Sequence, residues 1–548
     1  MDFNPIVDRL SKKDLGAFYT PIPYAKKAAE LVQMAVDRIP DGNDYIILDR
    51  CAGTGNLECA LIGLKDKNGD DLISHCVVST YEYYEYKVLQ ERIGSDVREI
   101  IPPTEANVNY ENGRVANADA MSEDFINNPI IKQYIDNPKC SVILFENPPF
   151  RDETSGMRNN GDTERSGKKQ AFVSDEMKEE VKGVATNELT NRFIWSAFKY
   201  YLRQTTDSYI VFSPIKYWKQ YTFVDTMPFK GFIFNREYFH ATASAISCIL
   251  WHNEPSSLKE IQLDAFDIAD NKSEYVDTLT VKRVCNTASK YYSKLTFADE
   301  DLCKVWCAKD GTEATNKTCR VKSYHNENII GYLEADGFSV APHVRNVTVT
   351  CLYNGNGCYL TRDYYTTILP IWVAKHVPLD KWYEKDIYAT TADGGDAYTK
   401  DENFLKSCLI YTCLSNQNKC LSFDGSDGRR YQNELCFDDK ALALKDLKKY
   451  ATNKKIALDK EEQKLLELWN KIIYEAKKTK NYNPDFNYGV YQIKKELNTS
   501  KIVGAGKNKK KVYDYPILNG YLDTLRTILK IYYKSHITEK MFKYELLK

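Results

Sequence analysis

Cys140-Ser141-Val142-Ile143-Leu144-Phe145-Glu146-Asn147-Pro148-Pro149-Phe150 decides how the chain is read. The apolar run over 140–145 predicts a buried strand, and the two prolines end it by fixing two φ angles and removing two N–H donors. A rigid turn at the carboxyl end of a strand holds a polar side chain and a ring over a cleft. Asn147 Oδ1 and the Pro148 carbonyl offer two acceptors suited to an exocyclic amino group, and Phe150 offers a face for the ring that carries it. Taken alone, the same residues also describe a strand-end turn with a core phenylalanine.

Two stretches upstream point the same way. Ile46-Ile47-Leu48-Asp49 predicts a short strand, followed by Arg50-Cys51-Ala52-Gly53-Thr54-Gly55-Asn56 and an apolar-periodic segment carrying Leu57, Ala60, Leu61 and Leu64. Strand, Gly-rich turn and helix make a ligand-binding corner, since glycine permits positive φ and close backbone approach. The third glycine of the dinucleotide fingerprint is missing, which argues against NAD or FAD. Near the start stands Gly16-Ala17-Phe18-Tyr19-Thr20-Pro21.

In this order the stretches resemble the γ arrangement of N6-adenine DNA methyltransferases. That family has a Phe/Tyr-Thr-Pro motif, then Asp-x-x-x-Gly-x-Gly, then Asn-Pro-Pro-Phe/Tyr. The resemblance is sharp over 14–150 and thins out to about residue 252. Arg50 departs from the proline found in many members but leaves the glycines in place. The resemblance implies an α/β, Rossmann-like catalytic domain, S-adenosylmethionine as cofactor, and double-stranded DNA as substrate with the target base flipped out. It implies that Phe18, Tyr19, Thr20 and Pro21 meet the amino-acid end of the cofactor. Asp49, Cys51, Ala52, Gly53 and Gly55 then line its methionine and ribose region. Asn147, Pro148, Pro149 and Phe150 form the catalytic turn, with Asn147 also at the cofactor.

The strand Cys76-Val77-Val78-Ser79-Thr80-Tyr81 ends in Glu82 and Tyr83. An acid at that place can accept both ribose hydroxyl protons. Glu82 is preferred and Glu85, one helical turn on, competes. By the resemblance Asp119, with Ala120, meets the cofactor's adenine; a helix N-cap is the rival role for Asp119. The ring placed opposite Phe150 is Phe239, chosen over Tyr238 and Phe234.

Residues 151–186 are poor in apolar side chains and read as a long mobile loop. From it Arg151, Lys168 and Lys169 are candidates for the DNA backbone, and Phe172 for closing the cleft. Strands are then expected at 209–213 and 245–251, which completes an alternating α/β pattern over 14–252.

The expected organisation is a catalytic domain over 1–255, a β-rich target-recognition domain over 256–440, and a basic helical part over 441–548. Turn-rich loops such as 424–430, with Arg429 and Arg430, suit base reading or plain surface turns. Residues 441–548 hold 24 Lys+Arg against 12 Asp+Glu, so +12, in a chain of net charge −1. A polyanionic partner explains that excess, as does a solvated lysine-rich helical domain. Amphipathic helices are expected at 456–479 and 518–533, and Lys501–Lys511 reads as a flexible phosphate-contacting stretch.

The 15 cysteines are scattered without a metal-ligand spacing, so reduced thiols and no metal are expected. No run of roughly 18 apolar residues and no signal-peptide pattern occur, which predicts a cytoplasmic protein with no membrane partner. A monomer is expected, with a cognate restriction endonuclease as candidate partner. The alternative functions are a specificity subunit silent by itself, and a methyltransferase acting on RNA or protein glutamine. A fused nuclease finds only Pro484-Asp485 and Gln492-Ile493-Lys494, at short spacing and lacking a second acid.

Overall fold

The computed structural model describes residues 19–102, 118–149, 171–182, 184–215, 217–218, 224, 228–239, 241, 243–255, 258, 260–283, 306–307, 322–323, 329–334, 357–361, 365–387, 395–416, 423–424, 430–431, 435, 437, 457–504, 506 and 509–548. The chain forms two compact units, Met1–Arg283 with Lys381–Asp386, and Val284–Asp380 with Ile387–Lys548.

The first unit is built on nine strands: β1 (Asp44–Asp49), β2 (Cys76–Val78), β3 (Glu99–Ile100), β4 (Cys140–Glu146), β5 (Ser208–Ser213), β6 (Lys230–Asn235), β7 (Ala245–His252), β8 (Glu260–Ala269) and β9 (Lys272–Lys282). Their order across the sheet is β3-β2-β1-β4-β5-β7-β6-β8-β9. The first five run parallel, and β7 returns antiparallel between β5 and β6. This is the expected α/β, Rossmann-like sheet. Side chains alternate between two buried faces. Ile46, Leu48, Val142, Leu144 and Tyr209 pack on one, and Ile47, Ile143, Phe145, Ile210 and Phe212 on the other. Burial on both faces is why these strands read as continuous apolar runs.

The helix Ile22–Val36 covers the second face with Tyr24, Ala25, Ala28 and Ala29. Pro21 and Pro23 preset its first turn. The other face receives Glu123–Ile126, Pro129–Ile135, Phe172–Glu180 and Leu189–Ser196.

The sheet runs past residue 255, where a domain boundary was expected. β8 and β9 form a hairpin whose turn residues Asp270 and Asn271 both have positive φ, 46° and 58°. That is the backbone a two-residue hairpin turn requires, and Asn and Asp tolerate it best. Lys381–Asp386 belongs to the same unit: Trp382 Nε1 donates to Asp267 (3.0 Å), Tyr383 Oη to Asp277 (2.8 Å) and Lys385 Nζ to the Ala243 carbonyl (2.7 Å).

In the second unit the expected separation at 440 is replaced by one shared core. Trp372, Cys408 and Leu409 pack in the same cluster as Leu465, Trp469 and Tyr533. Its helices include Glu402–Leu414, Lys460–Ala476 and Pro516–His536, the last two at the places expected from periodicity. Asp459 caps Lys460–Ala476 by accepting from the Glu461 and Glu462 N–H groups, while Glu462 reaches back to the Asp459 N–H. This reciprocal capping is the arrangement that starts a helix most firmly.

Candidate active site

β1 and β4 are neighbours, but the chain leaves them toward opposite edges of the sheet. Such a reversal opens a crevice at the carboxyl ends of the two strands. The Gly-rich turn follows β1 and Asn147 follows β4, so the two central motifs flank this crevice.

Asp49 Oδ1 accepts from the Cys51 N–H at 2.7 Å, and the Ala52 N–H bonds the Ser79 carbonyl at 2.9 Å. The turn is thereby tied to the end of β2. Gly53 and Gly55 have φ of +56° and +81°. A β-carbon at Gly53 would stand 3.3 Å from the Tyr19 ring, and one at Gly55 2.9 Å from Leu89 Cδ1. The backbone favours glycine at both positions, and packing adds to this at Gly55.

The Thr-Pro stretch locks the motifs together. Tyr19 Oη donates to Glu85 Oε1 (2.7 Å), Asn56 Nδ2 to the Thr20 carbonyl (2.9 Å), and Asn147 Nδ2 to Thr20 Oγ1 (2.9 Å). The last bond aims the amide of Asn147, leaving Oδ1 as its acceptor end. Beyond the prolines, Thr190 Oγ1 donates to the Pro149 carbonyl at 3.2 Å.

Glu85 is committed within the fold, since Thr80 Oγ1 takes its second oxygen at 2.6 Å. Burial raises its pKa. Glu82, directly before the helix Tyr83–Ile93, occupies the N-cap position. Asp119 Oδ1 accepts from the Met121 N–H at 3.0 Å, whereas the next helix is capped by Ser122. Asp119 is thus a turn residue rather than a helix cap. Ala120 is buried beside it, and Tyr83 packs with Tyr86 and Ala118.

Two buried charges escaped the sequence reading. Arg50 is 1% exposed and pairs with Glu146, which is 0% exposed. Arg50 Nη2 lies 2.8 Å from Glu146 Oε2, Nη1 donates to Ser196 Oγ (2.8 Å) and Nη2 to the Phe193 carbonyl (3.0 Å). Tyr209 Oη adds a bond to Glu146 at 3.0 Å. The guanidinium lies 4.5 Å from the centre of the Tyr201 ring, stacked in a manner lysine cannot reproduce. The second charge is Glu58, in the short helix after the glycines. Burial pushes its carboxyl up to about 7, and burial with Glu58 and Glu146 nearby raises Asp49 well above the usual range. An acid one turn past the glycines, in a segment otherwise apolar, was the visible signal.

The crevice fits a polar ligand. Thr54 Oγ1 and Ser79 Oγ are buried without a partner among the described residues, while the carboxyl groups of Asp49 and Glu58 bond each other through a shared proton. The two hydroxyls lie just past the carboxyl ends of β1 and β2. Buried polar atoms are nearly always satisfied, by ligand or water where protein does not reach. S-adenosylmethionine, whose ribose hydroxyls both donate and accept, fits two such hydroxyls.

Other expectations change. Phe239 is 1% exposed and stacks on Tyr24 at 6.0 Å, so it is core and cannot lie against a base. Phe234 is also buried, while Tyr238 is 38% exposed with its hydroxyl on the Ile268 carbonyl. The end of the 151–186 segment is not a loop: Phe172–Glu180 is a helix that buries Val173 and Met177, and Phe172 packs near Tyr200. Of the Lys501–Lys511 stretch, Lys501, Lys510 and Lys511 stand on two paired strands, Ser500–Val503 and Lys510–Tyr513. Phe18, Phe150, Arg151, Lys168, Lys169 and Arg429 lie outside the described residues; Arg430 begins a two-residue strand paired with Phe423–Asp424. Among the described residues no helix is long and apolar enough to cross a membrane, and the cysteines are free thiols.

No family profile and no curated protein matches the chain. Solved structures do. One is the methyltransferase subunit of a type I restriction-modification system from Streptococcus thermophilus, with 15% identity over 50% of this chain and 54% of that one and a TM-score of 0.32. Another is the type IIG restriction endonuclease BpuSI, with 13% identity over 48% and 28% and a TM-score of 0.31. A third is the type IIL restriction-modification enzyme MmeI in complex with DNA, with 10% identity over 93% and 72% and a TM-score of 0.30. The chain spans about half the length of the Streptococcus protein and under a third of BpuSI. At these scores the function rests on the chain's own residues.

Proposed function

We propose that the chain is a site-specific DNA methyltransferase that moves a methyl group from S-adenosylmethionine to the N6 amino group of an adenine flipped out of double-stranded DNA. The observation that carries this reading is the bond from Asn147 Nδ2 to Thr20 Oγ1, beside the Gly-rich turn of β1. It orients the amide, and with the bond from Asn56 Nδ2 to the Thr20 carbonyl it links the three motifs.

When bound, the cofactor supplies an electrophilic methyl group on its sulfonium. Asp49, the Gly53–Gly55 backbone, Glu82 and Asp119 are the residues that would hold it, with Tyr19 and Thr20 closing one side. The adenine N6 lone pair is delocalised into the ring and is a poor nucleophile. Asn147 Oδ1 and the Pro148 carbonyl accept hydrogen bonds from the two amino N–H groups, which localises the lone pair on nitrogen for in-line attack. As the N–C bond forms the C–S bond breaks to leave a neutral thioether, and the methylated nitrogen sheds one proton to solvent. Orientation and preorganised acceptors supply the rate enhancement in this scheme. Phe150 stacks on the extruded base and offsets part of the unstacking cost of a few kcal/mol. Arg151, Lys168, Lys169, Arg429 and Arg430 are assigned to the DNA, and the residues after 283 to target recognition.

The deciding experiment is methyl transfer from labelled cofactor to mixed-sequence duplex DNA by the purified chain, followed by sequencing for modified adenines. Labelled DNA carrying N6-methyladenine is expected. Cofactor binding without transfer to any DNA would leave the specificity-subunit reading in its place.

A further inference from the structure

The second unit carries a projection that the site above leaves unused. Ser500–Val503 and Lys510–Tyr513 pair as a two-stranded antiparallel ribbon. Residues 500–513 contain five lysines and no acid. Its tip turns through Gly504 and Gly506, with φ of 94° and 59°. Its base is fastened: Thr499 Oγ1 donates to Asp514 Oδ2 at 2.6 Å and the Asp514 N–H bonds the Thr499 carbonyl at 3.0 Å. Directly behind it, Pro516–His536 buries Leu518, Leu522 and Leu525 in the core. The ribbon is rooted in the fold.

Above that base both faces are open. Ile502 is 71% exposed, Val503 48% and Val512 44%. A two-stranded hairpin is marginal in water, and leaving three aliphatic side chains outside makes it more so. Register assigns the faces. Lys501 stands opposite Val512 and Val503 opposite Lys510, so these four share one face in a checkerboard. Ile502 and Lys511 lie on the other. Lys501, Lys509, Lys510 and Lys511 make no ion pair among the described residues.

A partner for this surface must be strongly anionic and yet offer apolar contacts between the charges. The major groove of duplex DNA does both, with phosphates on its walls and thymine methyl groups on its floor. Its width of about 12 Å admits a two-stranded ribbon, and four-residue strands reach about 13 Å along it. We infer that the ribbon Ser500–Tyr513 enters the major groove, with Val503 and Val512 toward the base edges and Lys501 and Lys510 donating to guanine edges or flanking phosphates. This deepens the reading of the chain as acting on DNA, and rests on it.

The test uses the full chain with mixed-sequence duplex DNA. One variant combines Lys501→Ala, Lys510→Ala and Lys511→Ala, and a second combines Val503→Ser and Val512→Ser. Binding is followed against salt concentration, and guanine N7 accessibility to dimethyl sulfate reports major-groove occupancy. The lysine variant is expected to lower the slope of log affinity against log salt by about 2, near 0.9 for each of the contacts of Lys501 and Lys510. Both variants are expected to lose N7 protection while binding S-adenosylmethionine as wild type does. A reduced slope with N7 protection unchanged would overturn groove entry. Unchanged binding and protection in both variants, with DNA methylation intact, would overturn the ribbon's role and leave the proposed function standing. Failure of the wild type to bind duplex DNA would bring down both.

Discussion

Arg50 and Glu146 face each other across neighbouring parallel strands, one residue beyond Asp49 and one residue before Asn147, with Arg50 Nη2 2.8 Å from Glu146 Oε2. The pair therefore couples the strand that ends in the Gly-rich turn to the strand that ends in the Asn147-Pro148-Pro149 turn. Three further partners, Ser196, Phe193 and Tyr209, saturate it. Removing one member leaves a buried charge, which costs about 3–5 kcal/mol, whereas an apolar pair of similar volume is often tolerated. Glu146→Gln is expected to lower the urea midpoint strongly, and Arg50→Met with Glu146→Leu to recover most of the loss. Equal midpoints for Glu146→Gln and wild type would show that the pair does not hold the two strand ends.

Asn147→Ala is expected to separate binding from chemistry. In the proposed reaction the side chain acts on the amino group of the substrate, so calorimetry should find cofactor affinity within a few-fold of wild type. Transfer should fall by at least roughly 100-fold, the loss typical of one preorganised acceptor or donor. Full transfer by this variant would remove Asn147 from the mechanism.

Glu58 gives the first unit a pH dependence. Its carboxyl rises from 4.5 to about 7 on folding, because burial penalises the charged form. The folded state then binds a proton that the unfolded state has released. The contribution to stability is complete below about pH 4.5 and is lost as pH rises through about 7. Glu58→Gln, which cannot ionise, is expected to be more stable than wild type above pH 7, by on the order of 2 kcal/mol. The two should converge toward pH 4.5. Parallel stability curves across this range would contradict a shared buried proton at Asp49 and Glu58.

Gly55→Ala meets two obstacles, a φ of +81° and a β-carbon 2.9 Å from Leu89 Cδ1. The left-handed backbone costs an alanine about 1 kcal/mol, and displacing the leucine adds to it. A lower unfolding midpoint is expected, and because Leu89 is itself core, Gly55→Ala with Leu89→Ala is expected to lose less than the sum of the two single losses. Such non-additivity would place part of the cost in the contact with Leu89 rather than in the turn alone.

The parallel strands were legible because burial on both faces leaves them apolar throughout, as in Val142-Ile143-Leu144-Phe145. β8 and β9 were not, since a sheet edge half open to water alternates: Glu260, Gln262 and Glu274 are exposed and Ile261 and Leu263 buried. A run of that kind resembles any surface hairpin and gives no sign that the sheet continues past residue 255. Val173 and Met177, four residues apart, carried the only helical signal in a stretch judged by its polar composition. Phe239 failed for another reason: sequence says that a ring is present and not which side of the backbone it takes. Arg50 gives no signal of its own, because a charge in a turn reads as exposed until its partner, 96 positions away, is in view.

The return of Lys381–Asp386 to the sheet bears on how the protein is made. The last strand emerges from the ribosome at Lys282, but Trp382, Tyr383 and Lys385 follow only after roughly a hundred further residues, a loop whose closure carries an entropic cost. Until then Asp267, Asp277 and the Ala243 carbonyl wait for their donors. Synthesis order therefore leaves the first unit incomplete while Val284–Asp380, the first part of the second unit, is made. A nascent chain stopped at Arg283 would be more readily degraded than one stopped at Asp386, and the step that seals the sheet is set by elongation rather than by its own folding.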